Sequence, residues 1–224
     1  MLALKFHLEL AVEDDEPARF IKFIDGKIYL YTDGERKVKA GNFSVIIIDV
    51  ESAVNERESV FDVFDFSSKT IDYFSLYAAD LDFKPRVLKA LGGEDRWAPG
   101  MLILDRLEVL PKFRGQAVGL RVLRWLRMQF SMGCGIVVMK PFPLQFEGGT
   151  PEENKGKPAF VRLRLDLFDT EFHQALKKLR VYYGRAGFAV VAGTPYMVAD
   201  PMRAAPSLEE MGVDQWASIR ISRG

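Results

Sequence analysis

One cysteine and two histidines in 224 residues leave little material for metal or redox chemistry. Cys134 alone cannot close an internal disulfide. His7 and His173 lie far apart in sequence and cannot join it in an ordinary zinc site, so no metal is expected. A chain without disulfides suits a reducing compartment, and the cytoplasm is the expectation. An excess of either charge is also missing: 31 Lys and Arg balance 31 Asp and Glu. Binding a nucleic acid backbone calls for a basic footprint, so that partner is not expected. An anionic membrane surface has no basic excess to attract either. Nor does any stretch approach the roughly 18 apolar residues of a membrane span. The N-terminal "MLALKFHLELAVEDDE" interrupts its apolar residues with Lys5, His7 and Glu9, which suits a strand and not a signal peptide.

What remains is an ordinary globular composition, 48% apolar and 28% charged, in a chain long enough to bury a sizeable core. No internal repeat or linker divides it, so one α/β domain is expected over residues 1–224. Alternation predicts a strand in "LALKFHLEL". "KIYLY" follows an Asp-Gly pair read as a turn, "TDGE" is a second turn, and the β-branched "NFSVIIIDV" reads as a buried strand. The first fifty residues thus read as an antiparallel meander. "SSKTIDYFSLYAADL" sets Ile71, Phe74, Ala78 and Leu81 at helical spacing behind Ser67 or Ser68 as cap. "FKPRVLKALGG" is a short helix opened near Pro85 and closed by Gly92 and Gly93.

"GMLILDRLEVLP" is a strand that stops at Pro111. A helix from about Ala117 to Met132 follows, and then the apolar "GIVVMK", which suits a parallel interior strand. Together these make a βαβ unit with a right-handed crossover. The Pro- and Gly-rich stretch around "GGTPEENKGKP" reads as a mobile surface loop. "TEFHQALKKLRVYYGRAGF" is a helix, and "AVVAG" and "YMVAD" are two last strands. Arg121, Arg124, Arg127, Lys177, Lys178 and Arg180 read as solvated helix faces, and Cys134 as a buried, inert thiol.

The joint between the Pro111 strand and its helix is chemically distinctive. A helix N-terminus offers N–H groups without internal partners and a positive dipole end. Gly115 and Gly119 leave that backbone open to a phosphate, and Lys112 and Arg114 can add charge. No Gly-Lys-Ser/Thr follows, so this is not a Walker A loop.

"LEVLPKFRGQAVGLRVL" resembles the acyl-CoA-binding motif of the GNAT superfamily of N-acyltransferases. Leu107, Val109, Pro111, Arg114, Gly115, Gly119 and Leu123 match it. "KLRVYYGRAGFAVVAG" resembles the family's C-terminal F-Y-x-x-x-G-F through Tyr182, Tyr183, Gly187 and Phe188. The likeness covers roughly Met101 to Asp200. It implies a GNAT fold: a mixed, mostly antiparallel sheet, helices on both faces, and a V-shaped splay between two parallel strands. Residues 101–200 would be the acyl-CoA-binding half, residues 1–100 a divergent acceptor-side half, and residues 201–224 a tail. The backbone of Leu107, Glu108 and Val109 would hold the pantetheine arm. The amides of Arg114, Gly115, Gln116, Ala117, Val118, Gly119 and Leu120, with Lys112 nearby, would hold the pyrophosphate. Tyr183 would protonate the leaving thiolate. Asp105, placed on the same strand face as Leu107, or Glu108 on the opposite face, would be the base.

The implied activity is acetyl-CoA-dependent N-acetylation of an amine, in a family that includes homodimers. The departures are Ala117 where the motif has glycine, Lys140 and Pro141 where asparagine is common, a long insertion after "GIVVMK", and helices placed after three strands. They motivate the alternative of a GNAT-like binding or interaction module without turnover.

Overall fold

A computed structural model describes residues 1–11, 16–31 and 37–214. Seven strands form one open sheet: β1 (Leu2–Glu9), β2 (Ile21–Tyr31), β3 (Lys37–Ile48), β4 (Met101–Val109), β5 (Ile136–Met139), β6 (Ala189–Val190) and β7 (Met197–Ala199). Their order across the sheet is β1-β2-β3-β4-β5-β7-β6. Each neighbouring pair is antiparallel except β4 and β5, which are parallel. The expected meander is therefore present, and β1 is an edge strand.

Four short helices separate β3 from β4: α1 (Val50–Asn55), α2 (Val60–Asp65), α3 (Ile71–Phe74) and α4 (Pro85–Ala90). They pack on one sheet face, where Met101, Ile103, Ile136 and Val138 meet Val63, Phe64, Tyr73 and Tyr77. The other face carries α5 (Val118–Phe130), whose Val118, Leu120, Val122, Leu123 and Leu126 are buried against Leu102, Leu104, Val137 and Met139. Each such aliphatic side chain contributes about 1.5–3 kcal/mol when fully buried. After β5 come α6 (Pro151–Asn154), α7 (Pro158–Arg162) and α8 (Phe172–Arg185). Among the described residues no helix is long and apolar enough to cross a membrane.

Several expectations need correction. Asp25–Gly26 is not a turn, because β2 runs straight through it. Gly26 is there for space: the ring of its cross-strand partner Phe43 lies 2.1 Å from where a Cβ would stand. The "TDGE" turn falls outside the described residues. The long helix expected after Ser68 is only α3. Beyond it the chain turns back so that Tyr77 stacks on Phe83 at 4.8 Å, and Leu81 takes a positive φ of 67°. α1 and α2 are additions, each started by a side-chain cap: Asp49 accepts from Ser52 N–H and Ser59 from Asp62 N–H. The stretch read as a mobile loop is folded. Thr150 and Glu153 form a capping box that starts α6. Asn154 is buried, and Phe160, Leu163 and Leu165 build a small core against Leu110 and Leu144.

Arg127 is the sharpest departure from a solvated face. It is 4% exposed and donates to the carbonyls of Ala186 at 2.6 Å and Asp200 at 3.2 Å. Arg121 and Arg124 likewise reach carbonyls, those of Asp214 and Pro206. Cys134 is buried in the α5-face core, as expected.

Candidate functional site

β4 organises the site through one extra residue. Ser44 faces Arg106 and Val45 faces Leu104, so Asp105 bulges out of the ladder. A bulge bends its strand and re-aims the side chains beyond it. Ahead of it, Leu102 and Leu104 point to the α5 face; beyond it, Leu107 and Val109 do. Asp105, Arg106 and Glu108 therefore share the opposite face, on the α1–α4 side. This corrects the assignment of Asp105 to the face of Leu107, with Glu108 opposed to it.

The parallel ladder is short. It joins Met101 to Ile136, Leu102 to Val137 and Ile103 to Val138, and stops there. From Leu104 to Val109, among the described residues, β4 has no ladder partner on that side. The β4–β5 pairing thus ends just ahead of the bulge, and β5 itself ends at Met139.

At the N-terminus of α5 Gly115 has φ 73° and Ala117 has φ 56°. Left-handed residues ahead of a helix gather backbone N–H groups into the kind of concavity that holds anions. Among the described residues the Gly115 and Ala117 amides take no backbone acceptor. Lys112 is exposed over the Phe113 ring, and Gln116 donates to the Lys112 carbonyl. Two side chains of the motif are already engaged. Arg114 donates to the Val109 carbonyl at 3.0 Å and to the Leu163 carbonyl at 2.6 Å, and burial lowers its pKa. The Arg114 guanidinium expected to meet the phosphates is thus a brace between β4 and the insertion. From α8, the Tyr182 hydroxyl lies 2.3 Å from where a Gly119 Cβ would stand. Burial raises the Tyr182 phenol, and the Leu120 backbone N–H partly offsets that rise. One amide of the expected cradle therefore faces this hydroxyl.

Tyr183 packs against the same core as α5 and touches the Tyr182 ring at 5.5 Å. Burial pushes its phenol up to about 12, so it stays protonated at neutral pH. Asp105 lies on the other face and pairs with Lys69 at 3.3 Å. Beside it stands the buried Tyr73, whose phenol is raised by burial first and then by Asp105 and Tyr196, while the Lys140 backbone N–H pulls it back. Lys140 follows β5 and reaches Asp72 at 2.8 Å, and Tyr196 donates to the Asp72 carbonyl. Lys69, Asp72 and Tyr196 lie in segments that no motif spacing connects in the sequence.

Glu108 does not fit the role of a base. It is 6% exposed and accepts from Asn42 at 2.9 Å, Arg106 at 2.8 Å and Arg162 at 3.0 Å. Burial alone would raise its pKa, but these three donors outweigh burial and hold it below the usual carboxylate range. Arg106 also grips both oxygens of Glu147 at 2.7 Å. Glu108 is thus the anchor that ties the insertion to β4. Among the described residues, no three His, Cys, Asp or Glu side chains group so as to hold a metal ion.

The arrangement defines an α/β protein with a mostly antiparallel seven-stranded open sheet, whose single parallel pair runs for three residues, and a left-handed turn ahead of α5. No protein-family model, no curated protein and no solved structure matches the chain.

Proposed function

We propose that this protein is an acyl-CoA-dependent N-acyltransferase of the GNAT type, moving an acetyl group from acetyl-CoA to an amine. The observation that carries the reading is the end of the parallel β4–β5 ladder after Ile103, just ahead of the Asp105 bulge, together with the left-handed turn that opens α5. From Leu104 to Glu108, among the described residues, the β4 edge has no ladder partner on the β5 side, which suits an extended amide-bearing arm that adds to a sheet as a strand does, while the Val109 carbonyl is already taken by Arg114. The backbone from Gly115 to Gly119 suits the diphosphate at the other end of that arm. The thioester then lies near the bulge. Asp105 accepts the proton of the attacking amine, the amine nitrogen bonds to the acyl carbon, and the carbon–sulfur bond breaks. Tyr183, held protonated by burial, is the donor to the departing thiolate.

The test is direct. Acetyl-CoA at 100 times its dissociation constant is expected to stabilise the fold by about 2.7 kcal/mol in thermal or urea unfolding. Thiol release over an amine panel should fall by about 100-fold or more in Asp105→Asn, with cofactor binding kept. Absence of any stabilisation at millimolar acetyl-CoA would sink the reading.

Specific observations favour a second reading, a module of this fold without turnover. The Arg114 guanidinium is spent on the Val109 and Leu163 carbonyls, and Tyr182 lies against Gly119. That reading predicts stabilisation by acetyl-CoA without thiol release, or neither.

A further inference from the structure

We propose that two copies of this chain pair through their β1 edges, antiparallel, about a two-fold axis at His7. The inference does not rest on the acyl-transfer reading. β1 pairs only with β2, so among the described residues its outer edge is unpaired. Its hydrogen-bonding phase follows from Met1, which exchanges bonds with Tyr31 at 3.0 and 2.8 Å. Along an antiparallel strand the backbone groups alternate sides. With the β1–β2 register unbroken, Leu2, Leu4, Phe6 and Leu8 therefore aim their N–H and C=O groups outward. An edge of this length that carries exposed apolar side chains is a template for another strand.

Charge selects the partner and the register. With the axis at His7, Lys5 of each copy faces Glu9 of the other. Phe6 faces Leu8, and Leu4 faces Leu10, so the outward-aimed groups of Phe6 and Leu8 meet in phase. An axis at Lys5 sets that lysine against its own copy, one at Phe6 sets it against His7, and one at Leu8 sets it against Ala11. Within a single chain Lys5 stands directly opposite Lys27, a like-charge pair that a carboxylate from a second copy would relieve.

The apolar surface agrees. Phe6 is 49% exposed, Leu8 41% and Leu10 49%, and α5 exposes Trp125 at 37% and Met128 at 53%, with Trp125 edge-on to Phe130 at 6.0 Å. Phe6 joins the two elements through an edge-on contact with Phe130 at 5.4 Å. A two-fold axis at His7 brings this patch against itself, the isologous contact of a closed dimer.

The experiment is sedimentation equilibrium of the full chain at pH 8. A monomer–dimer equilibrium is expected. Lys5→Glu and Glu9→Lys each place like charges opposite one another twice, and each should weaken the dimer roughly tenfold. An equimolar mixture of the two variants restores both pairings and should form the mixed dimer in preference to either parent. Both side chains are exposed, so circular dichroism of each variant, and its unfolding midpoint at a concentration where the chain is monomeric, should not fall. A monomer at 100 μM, on the order of a weak-dimer threshold, overturns the proposal. So does a dimer that neither variant weakens, or a mixture that shows no preference.

Discussion

Ala117 holds a left-handed backbone, φ 56° and ψ 18°, at the N-cap of α5. An L-residue there costs about 1–2 kcal/mol that glycine does not, which is why glycine suits that place in such a turn. Ala117→Gly should stabilise the fold by roughly 0.5–1 kcal/mol after glycine's extra unfolded-state entropy is deducted, read as a higher urea midpoint with unchanged slope. Gly119 has the opposite constraint: its side is filled by the Tyr182 hydroxyl. Gly119→Ala should displace that phenol and cost about 1–3 kcal/mol. For Glu108 the folded pKa lies below the unfolded value of about 4.3, so its contribution is full above that pH. It is lost as pH falls through the folded value. Glu108→Gln should cost about 1–3 kcal/mol at pH 7 and flatten the decline of stability below about pH 4.5. Urea titrations across pH 3 to 7 measure both effects. None of these three situations is legible in a string of letters, because each depends on what stands opposite: a positive φ, a phenol from α8, or three donors from three segments.

Helices and strands were read best where the period was long and the punctuation strong. β4, α5 and β5 fall where the stop at Pro111, the helix expected from about Ala117 and the apolar "GIVVMK" predict them. α8 was legible too, although its cap is Glu171, which accepts from His173 and Gln174 N–H. The region between β3 and β4 departs from the helix its spacing predicts, because its aromatic residues satisfy a helical period while packing as turns. Tyr73, Leu76 and Tyr77 all face the sheet, and the chain bends to let them. Arg127 shows a similar override, since a charged residue in a run of charges is buried by the carbonyls that need it. The same carbonyl end carries Asp200, whose carboxylate pairs with Arg96 at 2.8 Å, both side chains under a tenth exposed. Removing one member of a buried pair leaves the other uncompensated. Asp200→Asn should therefore cost about 3 kcal/mol, visible in the unfolding midpoint.

The whole chain unfolds around a core that contains its single thiol. Burial first, with Asp49 adding to it, pushes the Cys134 thiol up to about 12. At neutral pH a small thiolate fraction inside a closed core reacts only when the core opens. Ellman's reagent should therefore label Cys134 no faster than global unfolding, and labelling within seconds in native buffer would contradict its placement. The division of the sheet is also a property of the whole. β5 is four residues long and leaves β4 after three pairs, while the following segment returns to brace the far end of β4 through Arg106, Glu108, Arg114 and Arg162.

Composition and periodicity were enough for a mixed α/β class, a β-meander at its front, the strand–turn–helix joint at Pro111 and the buried thiol. Those features depend on local spacing and on the cost of exposing apolar surface, and both are written along the chain. The bulge at Asp105 and the face it assigns to each carboxylate came from the fold. So did the conversion of Glu108 from candidate base to anchor, and the closeness of Lys69, Tyr73 and Lys140. They arise from pairings between segments distant in sequence, where a shift of one residue reverses every side chain beyond it.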